Sequence, residues 1–312
     1  IVSEFAYPLI VGSSEIIGGS ETQMTNIAEH LVLRGYDVSL LTFGASDKKM
    51  FYHNGVKIFV PFDSKRLYSF LFPHNFIKLL KTLLQIDYSV LIQSPVSLLT
   101  AFLILFSKFK NKIYVFSIAS NRYFIGVNSQ KNGLISIMEK FFIRYSDYFT
   151  VQTMYQKKHL LKMYSKEGCL IGNSFVPFDS VSSQSNEKNN ILWIGKFFSY
   201  KNPQLFVNLA IQFPNQNFIM IGGPTNSKLF TKIYGESIEI ENLTVVGSVP
   251  HREIGKYIGI SKILINFSTV EGFPNVFLEA WGDGLPVLSN KFDPDGVIEK
   301  YNLGFCATSY SE

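Results

Sequence analysis

Cysteine is nearly missing from this chain: Cys169 and Cys306 stand far apart, with no metal-ligand spacing and no disulfide framework. Both thiols are expected to be reduced and buried, as in a cytoplasmic protein. Histidine is scarce as well. His30, His53, His74, His159 and His251 are scattered, and each reads as surface or core filler rather than as a catalytic group. No Asp-x-Asp pair follows a strand where a metal would sit, so neither a metal nor another cofactor is expected. No Gly-x-Gly-x-x-Gly follows a strand, which argues against a nicotinamide or flavin dinucleotide site. Long apolar runs are absent too. The longest, residues 98–106, contains Thr100 and falls far short of the ~20 residues of a membrane helix, so it reads as a buried helix. No secretory leader is expected. Basic residues form no stripe interleaved with exposed aromatics, so no nucleic-acid partner is expected.

What the chain does have is a globular composition. Hydrophobic residues make up 46% and charged residues 17% of 312, which is too apolar for disorder and too long for one small core. Two domains of about 150 residues suit the length. The net charge of +5 is mild and fits anionic ligands or a membrane surface better than nucleic acid. Short apolar runs at 38–42, 90–92, 113–116 and 148–151 read as strands. Amphipathic stretches at 22–34, 76–84, 134–145 and 155–164 read as the helices between them. A polar tract at 179–190 reads as a linker. Beyond it the pattern restarts, with strands at 191–194, 218–221, 243–246 and 263–265 and helices at 203–211 and 251–258. This alternation predicts an α/β protein of two Rossmann-like, doubly wound domains, residues 1–178 and 191–312, facing across a cleft. The chain opens on Ile1-Val2-Ser3, inside what reads as a strand, and ends just after another at 304–307. A few residues before it and a helical segment after it are therefore expected to complete the fold.

Two glutamates eight positions apart, Glu271 and Glu279, frame Gly272-Phe273-Pro274-Asn275-Val276. The stretch follows the strand at 263–265 and leads into Ala280-Trp281, which reads as helix. Pro274 suits the first turn of that helix, where its missing N–H costs nothing. The amides between Gly272 and Val276 would point out of the helix N-terminus, a seat for phosphate oxygens. Glu271 would lie in the loop before that seat, and Glu279 about one turn inside it. Carboxylates on both sides of an anion-binding helix end suit hydroxyls flanking a diphosphate, as in a nucleotide sugar. The plainer reading is that a helix dipole favours acidic residues near its N-terminus in any case.

Two further loops fit the same ligand. The strand at 191–194 runs into Gly195-Lys196-Phe197-Phe198-Ser199-Tyr200-Lys201-Asn202-Pro203. Gly195 permits a tight strand exit, and the ammonium groups of Lys196 and Lys201 on one loop could grip both phosphates. A solvated basic loop is the alternative. In the first domain, Ile16-Ile17-Gly18-Gly19-Ser20-Glu21 precedes a helix expected to start near Thr22. Gly18 and Gly19 offer either a second phosphate-compatible amide cluster or simple turn geometry.

On Gly18-Gly19-Ser20-Glu21, Gly195-Lys196 with Lys201-Asn202, Gly222-Gly223, Val246-Gly247 and the Glu271–Glu279 stretch, the chain resembles the retaining glycosyltransferases of family 4. These have the two-domain GT-B fold. The resemblance covers nearly the whole chain in order and is specific in its second half. It implies that Glu279 holds the ribose hydroxyls of the donor and Glu271 the sugar hydroxyls. The amides after Glu271 would take the diphosphate together with Gly18, Gly19 and Gly195, and Lys196 and Lys201 would balance its charge. Ser20 and Glu21 would lie on the acceptor side.

Some positions depart from the family pattern. Arg is common where Lys196 stands, so a planar fork becomes a point charge. Many members carry a histidine in the run that is here Ser117-Ile118-Ala119-Ser120-Asn121-Arg122, leaving Asn121 and Arg122 as acceptor-side candidates. The loop Asp293-Pro294-Asp295-Gly296-Val297-Ile298 also differs from the common form and could touch the donor or cap a helix. Family members work without a bound metal, so Asp293 and Asp295 are not expected to hold one.

The implied activity is transfer of a sugar from a nucleoside-diphosphate sugar to a hydroxyl, with retention, in cell-surface polysaccharide or glycolipid synthesis. A nucleotide-sugar 2-epimerase of the same fold and a non-catalytic partner subunit are the alternatives. The acceptor is expected to be a sugar or a lipid-linked glycan. Phe51, Tyr52, Phe59, Phe62, Tyr68, Phe70, Phe72 and Phe76 sit among Lys57, Lys65, Arg66 and Lys78. Core packing accounts for such a cluster, and a rim against an anionic membrane is the sharper alternative. The expected location is cytoplasmic, with peripheral contact at the inner membrane face.

Overall fold

In the computed structural model, residues 1–13, 18–63, 69–124, 133–178, 188–223 and 227–308 are described. The chain divides into two units, Ile1–Val11 with Gly19–Ser174, and Gly12–Gly18 with Phe175–Glu312. The second unit takes over at Phe175, ahead of the boundary expected at residue 178. Phe175 and Phe178 are the reason. Glycines at 282 and 255 leave room for their rings, since an added Cβ would fall 2.4 Å from Phe175 and 2.7 Å from Phe178. Most of the expected linker lies outside the described residues, and Asn190 already belongs to a strand.

One sheet carries the first unit. Its strands are β1 (Ser39–Leu41), β2 (Met50–His53), β3 (Val56–Phe59), β4 (Val90–Gln93), β5 (Ile113–Ile118), β6 (Tyr148–Val151) and β7 (Cys169–Leu170). β2-β3-β1 lie on one side and β4-β5-β6-β7 on the other. Val2 joins them, bridged in parallel to Leu41 and to Gln93. Its N–H donates to the Ile92 carbonyl at 2.8 Å, and the Leu41 N–H donates to the Ile1 carbonyl at 2.9 Å. The strand expected at the chain's start therefore pairs through a single residue.

Every pairing here is parallel except β2 with β3, an antiparallel hairpin that the sequence reading missed. Asn54-Gly55 form its turn with φ of 47° and 78°, the left-handed pair that a two-residue hairpin requires. The helices are α1 (Tyr7–Ile10), α2 (Gly19–Leu33), α3 (Pro73–Gln85), α4 (Leu99–Phe109), α5 (Gly133–Tyr145) and α6 (Met154–Tyr164). α4 is the apolar run at 98–106, and Leu99, Leu103 and Ile104 are buried in the core as expected. Of the aromatic cluster, Phe59, Phe62 and Phe70 are core residues, whereas Tyr52 and Phe72 are exposed. Lys65, Arg66 and Tyr68 lie outside the described residues. Cys169 corrects the expectation of two buried thiols. It is exposed because β7 is a two-residue edge strand, and Cys306 is half-buried.

The second unit is a fully parallel sheet of β8 (Asn190–Lys196), β9 (Asn217–Gly223), β10 (Leu243–Gly247), β11 (Ser261–Asn266), β12 (Val287–Asn290) and β13 (Gly304–Ala307). Its strand order is β10-β9-β8-β11-β12-β13. Between them run α7 (Pro203–Gln212), α8 (Lys228–Ser237), α9 (Ile254–Gly259), α10 (Asn275–Gly282) and α11 (Val297–Lys300). Successive strand residues alternate between faces, and the two cores follow that alternation. Trp193, Phe218, Met220 and Ile265 pack with Phe206 of α7 and Phe230 of α8. Leu192, Ile221 and Leu264 pack on the other face with Ile258 of α9, Phe277 of α10 and Ile298 of α11. Each such side chain contributes roughly 1.5–3 kcal/mol by leaving water.

Gly222 lets β9 approach β8 closely. Its φ is +148°, and an added Cβ would lie 1.7 Å from the Gly195 carbonyl oxygen. Gly222→Ala should therefore lower stability by more than about 3 kcal/mol. Gly235→Ala is the control, because that position on α8 has open space around it. Alanine there should add about 0.5–1 kcal/mol. Thermal melts of both variants check the pair, and equal melting temperatures would contradict the close approach.

Candidate functional site

Strand order in the second unit reverses at β8, with β9 on one side and β11 on the other. Ligands of open α/β sheets bind at the carboxyl ends of strands at such a point. Two loops leave the sheet there. The first follows β8, which runs through Gly195 and ends on Lys196. Gly195 is therefore not the strand exit expected of it; it lies inside the strand, where its backbone meets Gly222. A 3-10 turn at Ser199–Lys201 follows, and Asn202, left-handed at φ 46°, leads into α7 at Pro203. The second loop follows β11.

Hydrogen bonds stitch the two loops together. The Asn202 side chain donates to the Phe267 carbonyl at 2.9 Å, and the Thr269 N–H donates to the Tyr200 carbonyl at 2.9 Å. Lys201 and Glu271, 70 residues apart in sequence, end this seam as a mostly buried ion pair between Nζ and Oε1. The separate tasks read for Lys201 and Glu271 become one contact. Lys196 has no carboxylate partner among the described residues, so the two lysines do not act as a matched pair of free ammonium groups.

Beyond Glu271 the chain turns through Gly272 and Phe273, whose ring lies 6.3 Å from Trp281, to α10. Pro274 is one position earlier than expected, as the N-cap residue with an extended backbone (ψ 123°). Asn275 and Val276 are then the first helical residues, and the Phe277 N–H closes onto the Pro274 carbonyl at 3.1 Å. First-turn amides lack intrahelical acceptors and make a helix N-terminus attractive to anions.

Glu279, one turn further, is 5% exposed. Its Oε1 lies 2.9 Å from His251 Nε2, while Oε2 is buried without a hydrogen-bond partner among the described groups. His251 opens the 3-10 turn at His251–Glu253, after β10 and Pro250. Burial lowers the affinity of its ring for a proton, but the hydrogen bond and charge of Glu279 outweigh this and raise the pKa above the usual histidine value. His251, read as filler, thus contacts one of the candidate site residues. Its place just beyond a strand's carboxyl end, like that of Lys196 and Glu271, was the available signal.

The remaining candidates separate. α2 starts at Gly19, not near Thr22, so Gly19, Ser20 and Glu21 form its first turn and Gly18 adjoins it. Ser20 Oγ donates to Glu21 Oε2 at 2.8 Å, and Glu21 is buried. Asn121 is buried after β5 with its Oδ1 unpartnered among the described residues, whereas Arg122 is exposed. The Asp293 loop caps a helix: its carboxylate accepts from the Ile298 N–H at 2.8 Å and the Glu299 N–H at 3.2 Å.

Comparison with known proteins assigns this architecture. The profile described as Glycosyltransferase Family 4 matches residues 17–171, and that of Glycosyl transferases group 1 matches residues 177–312. The chain belongs to the group 1 glycosyltransferases. An uncharacterized glycosyltransferase of Haemophilus influenzae is 24% identical over 311 residues, covering 92% of this chain and 82% of that one. Two solved structures share the GT-B fold. Sucrose-phosphate synthase of Thermosynechococcus elongatus is 16% identical with a TM-score of 0.76, over 99% of this chain and 86% of that one. HepE of Anabaena, solved with UDP-glucose, is 14% identical with a TM-score of 0.69, over 98% and 84%.

The first unit of this glycosyltransferase holds a carboxyl that the sequence reading passed over. Glu4 follows Val2 at the point where that sheet's strand order also reverses, and it is 4% exposed. Ser97, in the loop after β4, donates its hydroxyl to Glu4 Oε1 and accepts the Leu99 N–H at 3.0 Å. Burial, opposed by Ser97 and aided by the charge of Glu21, pushes the Glu4 pKa up to about 7. A folded-state pKa above the unfolded value of 4.5 means that stability is fully present below pH 4.5 and is lost as pH rises through 7. Ionising Glu4 then costs about 3 kcal/mol. Glu4→Gln should melt like wild type at pH 5 and be more stable by up to that amount at pH 8. A constant difference across that range would show that Glu4 is not protonated in the fold.

Proposed function

We propose that this glycosyltransferase moves a sugar from a nucleoside-diphosphate sugar to a hydroxyl acceptor with retention of anomeric configuration. The observation that carries the reading is the Lys201–Glu271 pair beside the N-terminus of α10, with Glu279 one turn inside that helix. Those groups match the parts of such a donor. Glu279 Oε2 takes a ribose hydroxyl, the first amides of α10 take the diphosphate, and Glu271, oriented by Lys201, takes sugar hydroxyls. The bond from the anomeric carbon to the diphosphate oxygen breaks while the acceptor oxygen bonds on the same face, and the acceptor proton leaves with the diphosphate. Lys196 and the α10 N-terminus stabilise the charge that develops, without a metal. The complex of HepE with UDP-glucose supports a nucleotide-sugar donor for the shared fold.

The acceptor we propose is a sugar or lipid-linked glycan in cell-surface polysaccharide or glycolipid synthesis, reached by peripheral contact with an anionic membrane. Tyr52 and Phe72 are exposed, and Lys78 lies on α3 close by in sequence. No helix among the described residues is long and apolar enough to cross a membrane. Co-sedimentation with anionic vesicles at low salt is expected, and protein that stays in the supernatant would favour a soluble acceptor.

Incubation with a panel of nucleotide sugars tests the reaction itself. One donor should release nucleoside diphosphate, fastest with acceptor present, and the glycoside should keep the donor's anomeric configuration by nuclear magnetic resonance. Interconversion of the sugar without transfer would mark an epimerase, and no turnover of any donor a non-catalytic subunit. Lys196→Ala should reduce turnover about 10²–10³-fold, as for other groups that stabilise developing charge. Lys196→Arg should retain much more, and a chelator should change neither rate.

A further inference from the structure

We infer that His251 is a positioning residue for the nucleotide's ribose: it binds one oxygen of Glu279 and so leaves the other as the hydroxyl acceptor. The inference rests on the nucleotide-sugar reading above but concerns a residue that reading does not use.

The geometry comes from two segments on one face of the second sheet. Ile254 and Ile258 of α9 share a core with Phe277 and Ala280 of α10, which brings the turn before α9 against α10. His251 is fixed at that turn. Pro250 precedes it, the Glu253 N–H donates to the Pro250 carbonyl at 2.9 Å, and its ring lies 5.5 Å from that of Phe178. From there Nε2 meets Glu279 Oε1 at 2.9 Å. Glu279 is the charged group facing the ring from α10, and Arg252 and Glu253 flank it on its own turn.

A buried carboxylate has four lone-pair sites and must fill most of them. Oε1 is filled by His251, and Oε2 is buried without a partner among the described groups. An orphaned anionic acceptor is costly unless a donor arrives with the ligand. A ribose hydroxyl is such a donor. Without His251, the carboxylate would lose the contact that fixes its orientation.

Calorimetry with uridine, adenosine and guanosine diphosphates and their 2′- and 3′-deoxy forms at pH 8 tests this. Wild type should bind one of the three and prefer ribose over at least one deoxy form by about ten- to a hundredfold. In His251→Ala the ribose form should fall toward the deoxy form, whose own affinity stays unchanged. His251→Gln, whose amide can donate to Oε1, should recover much of the ribose preference at pH 8.

Equal ribose preference in wild type and His251→Ala overturns the inference while leaving the donor reading intact. Equal loss for ribose and deoxy forms marks a merely structural role and also overturns it. Binding of none of the three diphosphates to wild type overturns both readings. Where the alanine variant does not fold, His251→Leu decides: it fills similar space without a donor and should lose the ribose preference, and an unchanged preference overturns the inference.

Discussion

The second unit depends on the parallel ladder that sets β8 between β9 and β11. Ile191 pairs with Phe218 on one side and with Ile263 on the other, so chain segments far apart in sequence end at one level. Parallel pairing puts every carboxyl end on the same edge, and the reversal of order at β8 makes adjacent loops diverge and leave a crevice. Lys201 and Glu271 meet because of that ladder. A shift of one residue in β11 would send Leu264 to the opposite face and Ile265 out of its core, at a cost of several side-chain burials. Hydrophobic register in the sheet therefore determines polar register at its edge.

Above the sheet, α10 sets the spacing of the acidic groups. A helix rises about 1.5 Å per residue, so a group one turn inside its start lies roughly 5–6 Å along the axis. Glu271 in the loop and Glu279 in the helix are thereby held on either side of the first-turn amides. Pro274 sharpens the entry, since its fixed φ of −67° suits an extended cap and it has no N–H to satisfy. Phe277 and Ala280, fully buried on the sheet side, hold the helix against rotation.

Much of this arrangement was legible in the sequence, and the misses share physical causes. The strands read at 113–116 and 148–151 correspond to β5 and β6, and their β-branched and aromatic residues made them readable. The β2–β3 hairpin alternates its exposure and contains polar residues, so its apolar signal is diluted and Asn54-Gly55 was the stronger sign. Helix starts moved: Gly19 was assigned to a turn because glycine is a poor helix former, yet first-turn positions need little propensity. Among the candidate residues, Glu271 and Lys201 were read from the loops after two strands and Glu279 from the helix that follows. Their partners were not, since a pairing across 70 residues, or between His251 and Glu279, is a property of the fold and not of spacing. Glu4 was passed over because a single acid after Ile1-Val2-Ser3 looks like a surface loop until the sheet closes around it.

The two units resolve the same difficulty, a buried carboxyl, in opposite ways. An ionised carboxylate out of water needs a cation or several donors, or it takes up a proton instead. Glu271 has Lys201, and Glu279 has His251, whose own ring is pushed toward the charged form by the contact. Such pairs add little net stability, because desolvation offsets most of the attraction. What they provide is a carboxylate held in one orientation by its partner. Burial outweighs the Ser97 hydroxyl bond at Glu4, and the charge of Glu21 adds to it, so Glu4 keeps its proton to about pH 7. The paired acids are thus fixed acceptors, suited to holding the hydroxyls of a donor in one pose. The unpaired one can donate or accept at physiological pH, and the difference follows from whether a cation lies within reach of each carboxyl.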